Sequence, residues 1–451
     1  MARLPLIDLM AGENTEGSHV TRTRPGRPPA AVSAAVLAAA LAVELIDELV
    51  DGTKGAALPL MRHDLGLSYT QLGLLASVPV LLGSLAELPM GLLAGHGRRQ
   101  RIAVLAGGGL FAAALAATAL SSSFAGLLIA STVFFPASGA FVGLTQSGLM
   151  AADPARQEQH MARWNLAGSA GAVTGPLLLI AVLAAGGTWR VAYLLLAAAA
   201  LAAGAILARS GRALIAAPPE GPGETDGAAG WSAGLREAAA AARRGEVARL
   251  LVLIEVADYL LDVLTGFLAV YLVDVVHATA GQAALGVTVR LVAGLAGDLL
   301  LVLVLERASG LAVLRAGAAA ALLLYPAFLL VPGFWAKLVL LAALSMVTAP
   351  LYPVLQARLY AALPGRSGVA VTLSSAAALA AATGPLAVGA AAQRLGLTWA
   401  MASLALAAPV LLAGCGWRSW PGAGRAPGPR GRKNSGPPAE AGGPPSELGS
   451  D

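Results

Sequence analysis

The chain has 451 residues, of which 57% are hydrophobic and only 12% charged, with a formal net charge of +5. Soluble domains carry about 25% charged residues, so this composition excludes a water-soluble globular protein. The positive residues are scattered through short loops and tails, which excludes nucleic acid as a partner. Cys415, the single cysteine, excludes an internal disulfide and a cysteine-based metal site.

Residues 1–30 are polar and Pro/Arg-rich. They read as a disordered cytoplasmic tail without a cleavable signal peptide, so the first membrane helix serves as its own insertion signal. Apolar runs of about 20 residues then recur, the length a helix needs to cross a bilayer. The short alternating segments of a barrel are not seen. Twelve spans are predicted, near 32–60, 70–94, 101–121, 124–150, 162–185, 188–208, 247–273, 281–305, 311–331, 335–362, 367–391 and 397–417. Between the sixth and seventh lies a cytoplasmic linker, 209–246, marked by Pro218, Pro219, Gly221, Pro222 and Gly223. Residues 419–451, rich in Pro, Gly, Ser and charge, read as a disordered cytoplasmic tail. The fold class is an all-α polytopic membrane protein, with six-helix bundles over 31–208 and 247–418.

Basic residues orient the spans. With the N-terminus in the cytoplasm, 24 of the 30 Lys and Arg fall on that side, and Lys54, Arg62, Arg190, Lys337 and Arg394 on the other. This bias places both termini in the cytoplasm and the protein in the inner or plasma membrane. Trp164, Trp189, Trp335, Trp399 and Trp417 stand at span ends and read as interfacial anchors.

The two halves align at an offset of 211 residues. Glu44, Asp47 and Asp51 match Glu255, Asp258 and Asp262. Further on, Ser68 matches Thr279, Gln71 matches Gln282, Gly83 matches Gly294, and Glu87 matches Asp298. Thr174-Gly175-Pro176 matches Thr383-Gly384-Pro385 after small gaps. Ala and Leu align with anything, but rare acids inside spans do not. Six spans per half make these parallel repeats, with a cavity expected between them at mid-membrane.

Glu44, Asp47, Glu48 and Asp51 share an arc of about 100° on a helix of 3.6 residues per turn. Each Asp near a span centre costs about 2.5–3.5 kcal/mol against lipid, so the arc must face a wet cavity or partner charges. An alternative is that the first helix ends near Glu44 and leaves these acids in a loop, or that they form static salt bridges. Glu255, Asp258 and Asp262 lie well inside the seventh apolar run. Arg290 lies near the middle of the eighth span, as a counter-ion for these acids or as an anchor for an anionic substrate group. Glu87 and Asp298, near the cytoplasmic ends of spans two and eight, are candidates to pair with Arg98, Arg99 and Arg307 across the halves. His19, His63, His96, His160 and His277 show no metal-binding spacing, and Gly107-Gly108-Gly109 lacks the Lys and Ser/Thr of a phosphate loop. No cofactor is expected.

Three stretches carry a family resemblance: Asp64-Leu-Gly-Leu-Ser-Tyr-Thr-Gln-Leu-Gly73 at the start of the second span, Gly91-Leu-Leu-Ala-Gly-His-Gly-Arg98-Arg99 after it, and Gly168-Ser-Ala-Gly-Ala-Val-Thr-Gly-Pro176 in the fifth. With the six-plus-six plan, they resemble the major facilitator superfamily from about residue 32 to 417. The last stretch is similar to that of the family's exporters. The first-span acids with Leu67-Ser68-Tyr69-Thr70-Gln71 are similar to fosmidomycin-resistance-type exporters. The chain departs from the family at Gly95, where the loop carries an Asp, and in the fourth span, which lacks the arginine of many proton-driven drug exporters.

The resemblance implies a monomeric secondary transporter, not an enzyme, exporting a small organic molecule in exchange for protons. The proton would bind among Glu44, Asp47, Asp51, Glu255, Asp258 and Asp262, with Arg290 in the same cavity and Glu87, Gly91, Arg98, Arg99, Asp298 and Arg307 as gating residues. Import or facilitated diffusion of a polar solute is the alternative, and a non-transporting receptor or membrane enzyme a remote one. Reporter fusions test the topology. A fluorescent protein fused after Asp451 is expected to be bright and alkaline phosphatase there silent, with the reverse at Gly186-Gly187.

Overall fold

Ser33 opens the first helix by accepting the Val36 N–H at its hydroxyl, and Gly66 ends it in the left-handed conformation at φ 61°. The helix between them, α1 (Ala34–Leu65), has 32 residues, about 48 Å at 1.5 Å per residue. It therefore runs through all four acids, and none of them lies in a loop. The computed structural model describes residues 33–93, 98–152, 157–210, 236, 239–305, 307–363, 373, 376–377, 379 and 381–416. Both tails and most of the linker lie outside the described residues.

The first half continues with α2 (Tyr69–Leu93), α3 (Arg98–Leu120), α4 (Phe124–Ser138), a π turn (Gly139–Gly143), α5 (Leu144–Ala152), α6 (Gln157–Ala184) and α7 (Trp189–Ser210). The second half comprises α8 (Gly245–Asp274), α9 (Ala280–Leu305), α10 (Gly310–Leu330), α11 (Phe334–Thr348), α12 (Leu351–Ala362), α13 (Gly384–Leu395), α14 (Leu397–Ser403) and α15 (Ala407–Gly416). Among the described residues there is no strand. Eight of the helical segments are long and apolar enough to cross a membrane. α1 and α8 are longer but carry the acids. The order is consistent with twelve spans, the fourth made of α4 and α5, the tenth of α11 and α12, and the last of α14 and α15.

Local bonds reproduce the repeat. At the start of α2, Ser68 and Gln71 form a reciprocal cap, Gln71 Oε1 accepting from the Ser68 N–H at 2.9 Å and Ser68 Oγ from the Gln71 N–H at 3.2 Å. Thr279 and Gln282 do the same before α9, at 2.9 and 3.2 Å. Arg101 of α3 donates to the Ala208 carbonyl near the end of α7 at 3.1 Å. Arg315 of α10 donates to the Cys415 carbonyl near the end of α15 at 2.7 Å. The fourth span of each half is interrupted, by the π turn 139–143 and by a turn at 349–350. Those breaks stand at equivalent places in the repeat, a match the sequence alignment misses because the residues there differ.

Packing inside the first half depends on α6 lying directly on α1. A side chain at Gly175 would meet the Leu49 carbonyl at 2.5 Å, and one at Gly171 would run into the Leu45 carbonyl. The small-residue stretch thus serves close helix contact. Large apolar side chains cover the outside, with Leu330 81% and Leu323 74% exposed, as a lipid-facing surface requires.

One expectation is corrected. Trp335 and Trp399 are exposed, but Trp164 and Trp189 are only 3% exposed and serve the interior; Trp417 lies outside the described residues. Lys337 is buried, only 5% exposed. Its ammonium donates to the Phe328 and Leu329 carbonyls at 2.6 and 2.9 Å, capping the last turn of α10.

Lys337→Met is expected to leave those carbonyls without their cationic donor and to cost about 1.5–3 kcal/mol. The measurement is the melting temperature of purified protein, which should fall clearly, while Lys337→Arg should recover part of the loss.

Candidate functional site

The α1 acids are held differently along their strip. Glu44, 9% exposed, accepts a hydrogen bond from the Trp164 indole of α6. Gly168 leaves room for its carboxylate, since a side chain there would come within 2.7 Å of Oε1. Asp47 accepts from the Ser138 hydroxyl at 2.8 Å, immediately before the π turn. Asp51 is exposed and stands 4.0 Å from the Lys54 ammonium. Lys54 in turn lies 5.4 Å from the centre of the Phe135 ring. Glu44, Asp47 and Asp51 therefore find partners within their own half.

The α8 acids differ. Asp258 and Asp262 line a cavity of about 640 Å³ between the halves, shared with Arg290 and Asp298 of α9, Ser169 of α6 and Tyr352 of α12. Arg290 is fixed by donating from Nη2 to the Leu261 carbonyl at 2.7 Å, so α8 backbone rather than a carboxylate holds it. It attracts the neighbouring Asp262, while Asp51 repels Asp262 from the opposite half. Its Nε is buried and meets no acceptor among the described residues. The wall thus carries carboxylates and a guanidinium side by side, the charge pattern that suits an ammonium, a carboxylate, or a molecule bearing both. Glu255, predicted to share this cavity, lines a different one.

The predicted gating pairs are not formed where they are described. Asp298 lines the central cavity, whereas Arg99 and Arg307 are exposed. Among the described residues neither pairs with it. Gly91 lies in the last turn of α2, and the side chains of Glu87 and Arg98 lie outside the described side chains.

The halves meet instead through residues that sequence reasoning missed. Arg62, in the last turn of α1, bridges Asp274 at the end of α8 at 2.9 Å. The Tyr69 hydroxyl donates to the same carboxylate at 2.9 Å, and the Tyr69 N–H donates to Gln393 Oε1 at 3.1 Å. The Leu386 N–H donates to Ser77 Oγ at 3.1 Å. Glycines bring α2 and α13 this close, since a side chain at Gly73 would meet the Pro385 carbonyl at 2.6 Å. The only signal in sequence was position, Arg62 and Asp274 both standing at the ends of repeat-related spans. The seal lies at this end of the helices, and the cavity reaches the other way, to Asp298 and Leu301 in the second half of α9.

Residues 40–256 match the sequence profile of the Major Facilitator Superfamily. No curated protein matches the chain. Solved structures of similar fold include a bacterial homologue of the human lysosomal transporter Spinster, inward-facing and unoccupied, at 16% identity and TM-score 0.67, covering 84% of this chain and 95% of that one. A variant of the nucleoside transporter NupG has 12% identity and TM-score 0.68, covering 84% and 98%. A POT family transporter in complex with 5-aminolevulinic acid has 14% identity and TM-score 0.67, covering 84% and 94%.

The seal predicts a cross-link. With Cys415→Ser as background, Ser77→Cys combined with Leu386→Cys is expected to form a disulfide under mild oxidation and to trap this conformation. Accessibility labelling of the sealed end should then be lost, and reductant should restore it.

Proposed function

We propose that this chain, whose residues 40–256 match the Major Facilitator Superfamily profile and whose fold is that of solved transporters, is a proton-coupled secondary transporter that exports a small organic molecule by alternating access. The observation that carries this reading is the central cavity, closed by the Arg62–Asp274–Tyr69 contacts at one end and lined by Asp258, Asp262 and Arg290. With both termini in the cytoplasm, the sealed end is the extracytoplasmic one, and this conformation faces inward.

Asp262 is the residue we assign to the coupled proton. It stands between an attracting Arg290 and a repelling Asp51. Loading a proton there removes the repulsion across the halves, and a cationic group of substrate competes for the same carboxylate. Movement of one half against the other changes the Asp51–Asp262 separation, so proton occupancy and conformation are linked. Arg290 keeps its charge throughout and serves as a fixed neighbour. The Gly168–Pro176 stretch, similar to that of exporters, supports the outward direction.

Transport in proteoliposomes tests the coupling. Organic cations and zwitterions are presented with an imposed pH gradient. Gradient-driven accumulation is expected, with Asp262→Asn lowering it about tenfold or more, as loss of an essential charged contact implies, while substrate exchange without a gradient persists. Accumulation that survives collapse of the gradient would sink proton coupling and leave facilitated diffusion.

A further inference from the structure

Glu255 stands apart from the central site. It lies on the same face of α8 as Asp258, one turn earlier, yet it lines a separate cavity of about 430 Å³ between α8 and residues 381–384. Both of its carboxylate oxygens are buried, and among the described residues neither meets a donor. The described lining contains no other charged residue: Leu251, Val252 and Val256 form the aliphatic part, Tyr259 supplies a ring, and Thr383 a hydroxyl. Arg290 belongs to the other cavity.

This chemistry selects its ligand. A buried carboxylate without a donor is costly, and a cationic donor removes most of that cost. An anion is repelled by Glu255 and finds no cation in the described lining. A neutral apolar molecule fills the space but leaves the carboxylate unpaired. A turn of the Glu255 side chain brings its carboxylate into the cavity, where an ammonium group bonds it, with the Tyr259 ring nearby for cation–π attraction. An apolar tail then covers Leu251 and Val256. The volume falls within the range of about 300–1,000 Å³ usual for small-molecule sites.

We propose that this cavity is a second ligand site, distinct from the central one, for a lipophilic ammonium: a protonated amine carrying an apolar tail. The same chemistry belongs to a free amine and to an aminolipid headgroup. The site is a binding property of α8 and residues 381–384, and it stands whether or not transport is coupled to protons.

Equilibrium binding of labelled octylamine to the full chain, in phosphatidylglycerol nanodiscs with empty discs subtracted, tests it. Octylamine is expected to bind saturably and octanol is not. Glu255→Gln should weaken binding about tenfold or more, the loss of a charge-assisted bond, while Asp262→Asn leaves this site unchanged. Val252→Trp, at an exposed position of the rim, should block it with Glu255 intact, which keeps the test decisive if Glu255→Gln does not fold. Binding that survives both Glu255→Gln and Val252→Trp, or that Asp262→Asn abolishes, overturns the proposal. Phosphatidylethanolamine added to the discs separates the two sources: competition assigns the site to an aminolipid headgroup, and undiminished binding to a free amine.

Discussion

A charge drawn into a bilayer must be met by water or by a partner inside the protein, because hydrocarbon supplies neither. Much of this architecture follows from that constraint acting on α1 and α8. Each carries a strip of acids through its middle, and neither strip is tolerable against lipid. The two helices therefore pack toward the interior, and the remaining helices surround them with Leu, Val and Ala turned outward. Arginines and lysines obey the same rule elsewhere. Lys337 and Arg315 spend their donors on helix-end carbonyls, where partial negative charge accumulates.

The duplicated halves share a framework but not its occupancy. The reciprocal caps before α2 and α9, the arginines that hold the ends of α7 and α15, and the breaks in both fourth spans all repeat. The acid strips do not behave alike. In the first half Trp164, Ser138 and Lys54 engage Glu44, Asp47 and Asp51. In the second half Asp258 and Asp262 open onto the cavity, and Arg290 stands where the repeat places Pro79. One arginine and three partner side chains thus turn a symmetric scaffold into an asymmetric site.

Small residues decide how the parts meet. The glycines of α6 let backbone lie on backbone against α1, which stiffens the first half. Gly73 does the same for α2 against α13, but between halves. The contact between the halves, built from backbone approach, one ion pair and a few hydrogen bonds, is specific in register.

The membrane class, most helix positions and the internal repeat were legible in the amino-acid pattern. Those rest on local quantities: length of apolar runs, spacing of rare acids, and the caps at Ser68 and Thr279. It also placed the acid strips inside spans, since α8 has no end near Glu255. Which acids share a site emerged only from the packed fold. Glu255 and Asp258 are one turn apart, yet Glu255 lines a cavity with residues 381–384 and Asp258 one with α9. Only the fold showed that Trp164 turns inward to Glu44, that Arg290 rests on the Leu261 carbonyl, and that Arg62 meets Asp274 across more than two hundred residues of chain. Such partnerships depend on how helices rotate and cross, and a one-dimensional pattern carries the face of each helix but not the neighbour set against it.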